Sequence, residues 1–195
     1  MKRRPLVAAL GAALVLAACG KESTTSTAAG GNAGKGASTP VTIEAIEAGA
    51  KGFNVGSTMS TRTVYVFFDP QCPHCAALWE AARPLKPQAR FVWIPVALIN
   101  DKSAPQGAAI MNAPDPVAMM DQHEVSLRNK QGGVAAMGVS DAQKDIVKRN
   151  TDLMNKFGFG GVPTVVAKHA QTGQIVTLEG SAPTAVLAQR LGLSI

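Results

Sequence analysis

The segment "VYVFF" at residues 64–68 sets five β-branched or aromatic residues in a row with no polar interruption. A run this short suits a strand better than a helix, and without alternation the strand must be covered on both faces. A chain that contains it needs helices on two sides of a sheet, which points to the α/β class.

The neighbouring segments supply those helices. "VTIEAIEAGAKG" (41–52) carries a short helical pattern and is followed by a polar break, "STMSTRT" (57–63). After the apolar run, Pro73 fits the first turn of a helix, where its missing N–H costs nothing. That helix passes through "HCAALWEAA" towards Pro84, which should kink or end it. "RFVWIPVAL" (90–98) reads as a second strand.

Residues 101–158 form a helical insertion of three segments parted by Pro and Gly. In the third, Ile146, Leu153 and Phe157 recur at helical spacing, and Ser140 with Gln143 fits a capping box. Met111, Met119, Met120 and Met137 fall in this region, where ordinary helix-core packing explains them better than a substrate groove. "PTVVAK" and "QIVTLEG" then form a hairpin with Gly173 in its turn, and "PTAVLAQRLG" closes the chain as a helix. The expected domain spans 41–195, with a central sheet of about four strands.

The N-terminal end reads differently. "MKRR" followed by thirteen apolar residues (6–18) is too short for a membrane span, which takes about 20, and suits a signal peptide over 1–18. Residues 19–40 are dominated by Gly, Ser, Thr and Ala and have no apolar period, so a flexible tether is expected, with a reach of roughly 25 Å. The chain has 19 basic and 13 acidic residues, and setting aside Lys2, Arg3 and Arg4 leaves 16 basic ones without a basic run. With aromatics at 5%, no nucleic-acid partner is expected.

Chemistry concentrates at "CPHC", Cys72 to Cys75. Cysteines three apart close too small a loop to staple distant parts of a fold. A zinc site needs about four ligands, and neither a second cysteine pair nor suitably spaced histidines (His123, His169) are present. A c-type haem would need His after the second Cys, where Ala76 stands, whereas copper on two Cys and one His stays conceivable. A strand leading into C-x-x-C at a helix start instead favours a redox pair. There the amides and dipole of the helix stabilise a Cys72 thiolate, while Cys75 lies one turn deeper. His74, between the sulfurs, either helps that thiolate or faces solvent. Pro163 in "GGVPT" is either a plain strand breaker or a cis-proline whose preceding residue, Val162, offers its backbone to an extended substrate.

Taken together, "VYVFFDPQCPHCAALWEAARP", the helical insertion, the Val-Pro before the third strand and "GSAPTAVLAQRLG" resemble the periplasmic thiol:disulfide interchange proteins of the Dsb group, a thioredoxin-fold family. The similarity covers roughly 42–195 and is nearest the C/G-type branch, though C-P-H-C and the Val before the proline are similar to the A-type oxidase. It implies Cys72 as the attacking thiol, Cys75 as the resolving one and Pro73 and His74 as tuning residues. Pro163 would be the cis-proline and Val162 a substrate contact. The implied cofactor is none beyond the Cys72–Cys75 disulfide. The implied partners are proteins with cysteines or disulfides and a membrane protein that resets the pair. The implied activity is a G-like isomerase or reductase; an A-type oxidase, a chaperone and a copper metallochaperone are the alternatives.

"LAAC" (16–19) resembles the bacterial lipoprotein box, which implies acylation at Cys19 and periplasmic anchoring, with the outer membrane favoured by Gly20. Only the tether and some twenty residues precede the first strand, where the branch carries a dimerisation domain, so a monomer is expected.

Overall fold

The computed structural model describes residues 38–195. The signal peptide, Cys19 and most of the tether lie outside the described residues. At the start of the described chain, the Thr39 N–H donates to the Lys156 carbonyl at 2.9 Å.

Five strands form one sheet in the order β1-β3-β2-β4-β5: β1 (Phe53–Gly56), β2 (Thr63–Phe68), β3 (Arg90–Pro95), β4 (Thr164–Lys168) and β5 (Ile175–Glu179). β2 is central, parallel to β3 and antiparallel to β4, and its register sets Val66 opposite Trp93 on one side and Val165 on the other. This is one strand more than the sequence predicts. The additional strand, β1, is an antiparallel edge partner of β3, four residues long, and its alternation "FNVG" is too brief to carry a pattern of its own. It stops at Gly56, whose φ of +92° and close approach to the Lys86 and Ala89 carbonyls exclude a side chain.

Helices cover both faces, as the apolar β2 requires. Val64, Val66 and Phe68 pack under α2 (Pro73–Ala82) and α6 (Thr184–Leu191). Tyr65 and Phe67 point the other way, into a second core with Ile43 and Ile46 of α1 (Ile43–Gly49) and Met154 of α5 (Asp141–Lys156). The two-residue period of a strand thus splits one apolar run between two cores.

The insertion holds α3 (Ser103–Met111), α4 (Pro116–Arg128) and α5, near the predicted spans. The predicted capping box is present, with Ser140 and Gln143 bonding each other's backbone N–H. The buried face of α5 is Val147, Asn150 and Met154; Ile146 and Leu153 are only half-buried beside it. Of the four methionines, Met120 is fully buried, Met119 packs against the core and Met137 is exposed. The chain passes from α2 into a 3-10 turn, Arg83–Leu85, at Pro84.

Candidate functional site: the Cys72–Cys75 pair

β2 delivers the chain to the turn Asp69–Cys72, which closes with the Cys72 N–H donating to the Asp69 carbonyl at 3.0 Å. Cys72 is the N-cap of α2, in extended conformation, and its Sγ accepts from the Cys75 N–H at 3.3 Å. Pro73 occupies the first helical position. Cys72 and Cys75 are both buried, and Pro73 and His74 are exposed beside them.

The two thiols are unlike. Cys72 is lowered from an ordinary 9.0 to about 6, chiefly because the Cys75 thiol donates to it. Desolvation works against this, while the backbone N–H groups of Cys75 and His74 and the charge of the His74 ring add to it. Cys75 is pushed far above the usual thiol range, first by burial and then by its hydrogen bond to Cys72 and the charge there. At neutral pH the pair is a thiolate in front of a thiol.

These shifts have a measurable consequence for the dithiol form. The Cys72 thiol titrates near 9 when unfolded and near 6 when folded, so its ionisation adds stability progressively from pH 6 to 9. That contribution is complete above 9 and lost as pH falls through 6. Thermal melts of the dithiol protein should therefore rise across this window relative to Cys72→Ser. Parallel profiles would contradict the assignment.

Opposite the sulfurs, the Val162–Pro163 peptide is cis, and Cys72 Sγ lies 3.6 Å from the Val162 carbonyl, to which it donates only while protonated. Pro163 is buried, and its carbonyl accepts from the Gly180 N–H at 2.8 Å. The structure thus brings together Cys72, Cys75, Pro73, His74, Val162 and Pro163. Among the described residues, no three His, Cys, Asp or Glu side chains converge as metal ligands would.

A polar shell behind the pair escapes sequence reasoning. Asp69, fully buried, accepts from the N–H groups of Gln71 (2.8 Å), Leu98 (2.7 Å) and Ile99 (3.0 Å) and from the Ser103 hydroxyl (2.7 Å). It ties the active-site turn to the loop after β3 and to α3. His123, in sequence a histidine without ligand spacing, is buried and bonded at both nitrogens. Nδ1 accepts from the Val134 N–H at 3.1 Å, which fixes the proton on Nε2, and Nε2 donates to the Pro70 carbonyl at 2.7 Å. Burial lowers its pKa, so it anchors the turn as a neutral ring. Gln106 donates to the Gly132 and Val134 carbonyls (2.8 and 3.0 Å) and accepts from Gln71. Gly133 packs on the His123 ring with φ +90°, where a Cβ would lie 2.5 Å from the ring. "DP" directly after a buried strand is the one sequence signal of this shell; nothing in sequence marks Gln106 or His123.

Residues 55–193 match the family model of the thioredoxin-like domain. Among curated proteins, the chain is 30% identical over 146 residues to the thiol:disulfide interchange protein DsbG of Pseudomonas aeruginosa, covering 70% of this chain and 54% of that protein. It is 35% identical over 106 residues to DsbG of Escherichia coli, covering 52% of this chain and 42% of that one. The chain thus spans about half the length of the curated relatives it matches. Among solved structures, the catalytic domain of Proteus mirabilis ScsC superposes with a TM-score of 0.59 at 17% identity, covering 76% of this chain and 96% of that one. The chain belongs to the thioredoxin-like domain family, with its sequence similarity running to the DsbG thiol:disulfide interchange proteins.

Proposed function

We propose that this chain is a thiol:disulfide oxidoreductase of the bacterial envelope that exchanges disulfides with protein substrates, in a DsbG-like isomerase or reductase role. The observation that carries this reading is the asymmetry of the pair: a stabilised Cys72 thiolate at the helix N-cap in front of a buried Cys75 thiol.

In the reducing direction, the Cys72 thiolate attacks one sulfur of a substrate disulfide. An S–S bond forms to Cys72, the substrate S–S bond breaks, and the departing substrate thiolate takes a proton from solvent. Cys75 then loses its proton and attacks Cys72 Sγ, which releases the second substrate thiol and leaves the Cys72–Cys75 disulfide. Two electrons pass to substrate. For isomerisation the freed substrate thiolate attacks a different substrate disulfide. The substrate thiolate displaced there attacks the substrate sulfur bonded to Cys72, so that Cys72 leaves as the thiolate it began as. Val162 and Pro163, beside Cys72, are the expected contact edge for an extended substrate, and a membrane redox partner resets the pair. The apolar N-terminal stretch and the box at Cys19 support lipid anchoring in the periplasm, at the outer membrane, with the domain held on a tether.

A second reading, a disulfide-donating oxidase, draws on the lowered Cys72 thiol itself, because a more stable thiolate makes the disulfide more oxidising. Trapping the thiols in cells separates the two. A mostly dithiol population is expected; a mostly disulfide population would establish the oxidase. Refolding of scrambled ribonuclease that survives Cys72→Ser would indicate a chaperone, and stoichiometric Cu(I) capture at competitive affinity a metallochaperone.

A further inference from the structure

Glu124 is 1% exposed on α4, and its Oε2 has no hydrogen-bond partner. It lies on the α4 stripe formed with Asp121 and Arg128, three residues after one and four before the other, and this stripe faces α2. Asp121 accepts from Trp79 Nε1 at 2.8 Å and from Arg83 at 2.6 Å, and Arg128 donates to Glu80 at 3.4 Å. His123, the preceding residue, is fixed to the Pro70 carbonyl, two residues before Cys72. Anchored on both sides, α4 keeps the Glu124 carboxyl buried between the two residues that tie it to α2, the helix that Cys72 caps.

A buried carboxyl whose Oε2 has no hydrogen bond to offset its lost hydration is costly to ionise, so burial raises its pKa to about 7. Arg128 opposes this rise, while the charges of Glu80, Cys72 and Asp121 add to it. Arg83 is taken up by Glu80 and Asp121, and His123 is neutral. α3 and β1, which also pack on α4, carry no titratable side chain.

We propose that Glu124 is a tuning residue for the Cys72 thiolate: its neutral carboxyl tolerates the thiolate, and its carboxylate opposes it. The proposal rests on the oxidoreductase reading and bears on direction within it. Reduction of the disulfide takes two electrons and a proton, which ends on Cys75, and leaves Cys72 as thiolate. Where Glu124 is ionised in the disulfide form, the new negative charge draws a second proton onto its carboxylate. At higher pH that proton is no longer held, so both charges coexist and the dithiol form is disfavoured. The protein then becomes a stronger reductant than its thiols alone would make it. The coupling is reciprocal, and the two groups titrate as a pair.

The test equilibrates the full chain and its Glu124→Gln variant in glutathione buffers from pH 5 to 9, with the redox state read by alkylation. The two equilibrium constants should agree at the acid end. Above pH 7 the variant should become about three- to tenfold more oxidising, the effect of removing one screened charge repulsion. Glu124→Asp, which keeps the charge, should retain the wild-type pH slope. Independently of any variant, the wild-type Glu124 carboxyl followed by NMR should titrate lower in the disulfide form than in the dithiol form. Superimposable pH profiles, or one carboxyl titration shared by both redox forms, would overturn the proposal while leaving the oxidoreductase intact. Failure of wild type and variant alike to form a reversible couple would instead remove the oxidoreductase reading beneath it.

Discussion

Cys72→Ser is expected to reduce disulfide exchange and insulin reduction to the rate of the buffer thiols, whereas Cys75→Ser should accumulate a mixed disulfide with substrate. The asymmetry follows from position. Cys72 caps α2, receives the Cys75 N–H and is ionised near neutrality, so it is the sulfur that can attack. A serine hydroxyl there stays protonated and is no nucleophile towards sulfur. Cys75 is buried one turn deeper and held as a thiol, so its role begins only once Cys72 is engaged. Without it the first step still proceeds and the second cannot. Trapped complexes should thus form with Cys75→Ser and require Cys72, as read by non-reducing gels and mass spectrometry. Equal loss in both variants with no trapped species would assign the attack elsewhere.

Trp79→Ala should produce the largest loss of stability of any single truncation in α2. The indole is fully buried, meets Trp93 edge-on at 4.9 Å between ring centres and lies 6.4 Å from Phe53. It also donates to Asp121 and so fastens the insertion helix α4 to the helix that carries the cysteines. Removing a buried Trp costs about 3–5 kcal/mol through lost transfer energy and the cavity left behind. At about 2–4 °C per kcal/mol for a domain of this size, the melting temperature should fall by roughly 10 °C. Trp79→Phe keeps most of the packing and loses the hydrogen bond, so it should cost about 1–2 kcal/mol. Denaturant titrations of both variants in the dithiol form check this; a loss below about 1 kcal/mol for Trp79→Ala would mean that the core closes over the gap.

What could be read from sequence follows from how local each determinant is. The apolar run at 64–68, Pro73 at the helix start and the Ser140/Gln143 cap are decided within a few residues, and each forms where the pattern places it. Cys72 and Cys75 belong with them, because strand, sulfur and helix dipole are consecutive in the chain. The strand Phe53–Gly56 is different: four residues hold too little periodicity, and pairing with β3 decides their conformation. The polar shell is less legible still. Asp69 and Ser103, and His123 and Pro70, are partners 34 and 53 residues apart, and only the folded insertion brings them together. Nothing in sequence distinguishes Glu124 from the other polar residues of its helix. Its burial follows from the docking of α4 on α2 and has no local signature.

The most direct test of the redox assignment is an equilibrium titration of the protein against reduced and oxidised glutathione, with both thiols counted by alkylation and mass spectrometry. The expected result is a single two-electron transition in which Cys72 and Cys75 change together, with the loss of two hydrogens and no bound glutathione at the oxidised end. Independent modification of the two sulfurs, with stable glutathione adducts in place of a Cys72–Cys75 disulfide, would contradict it.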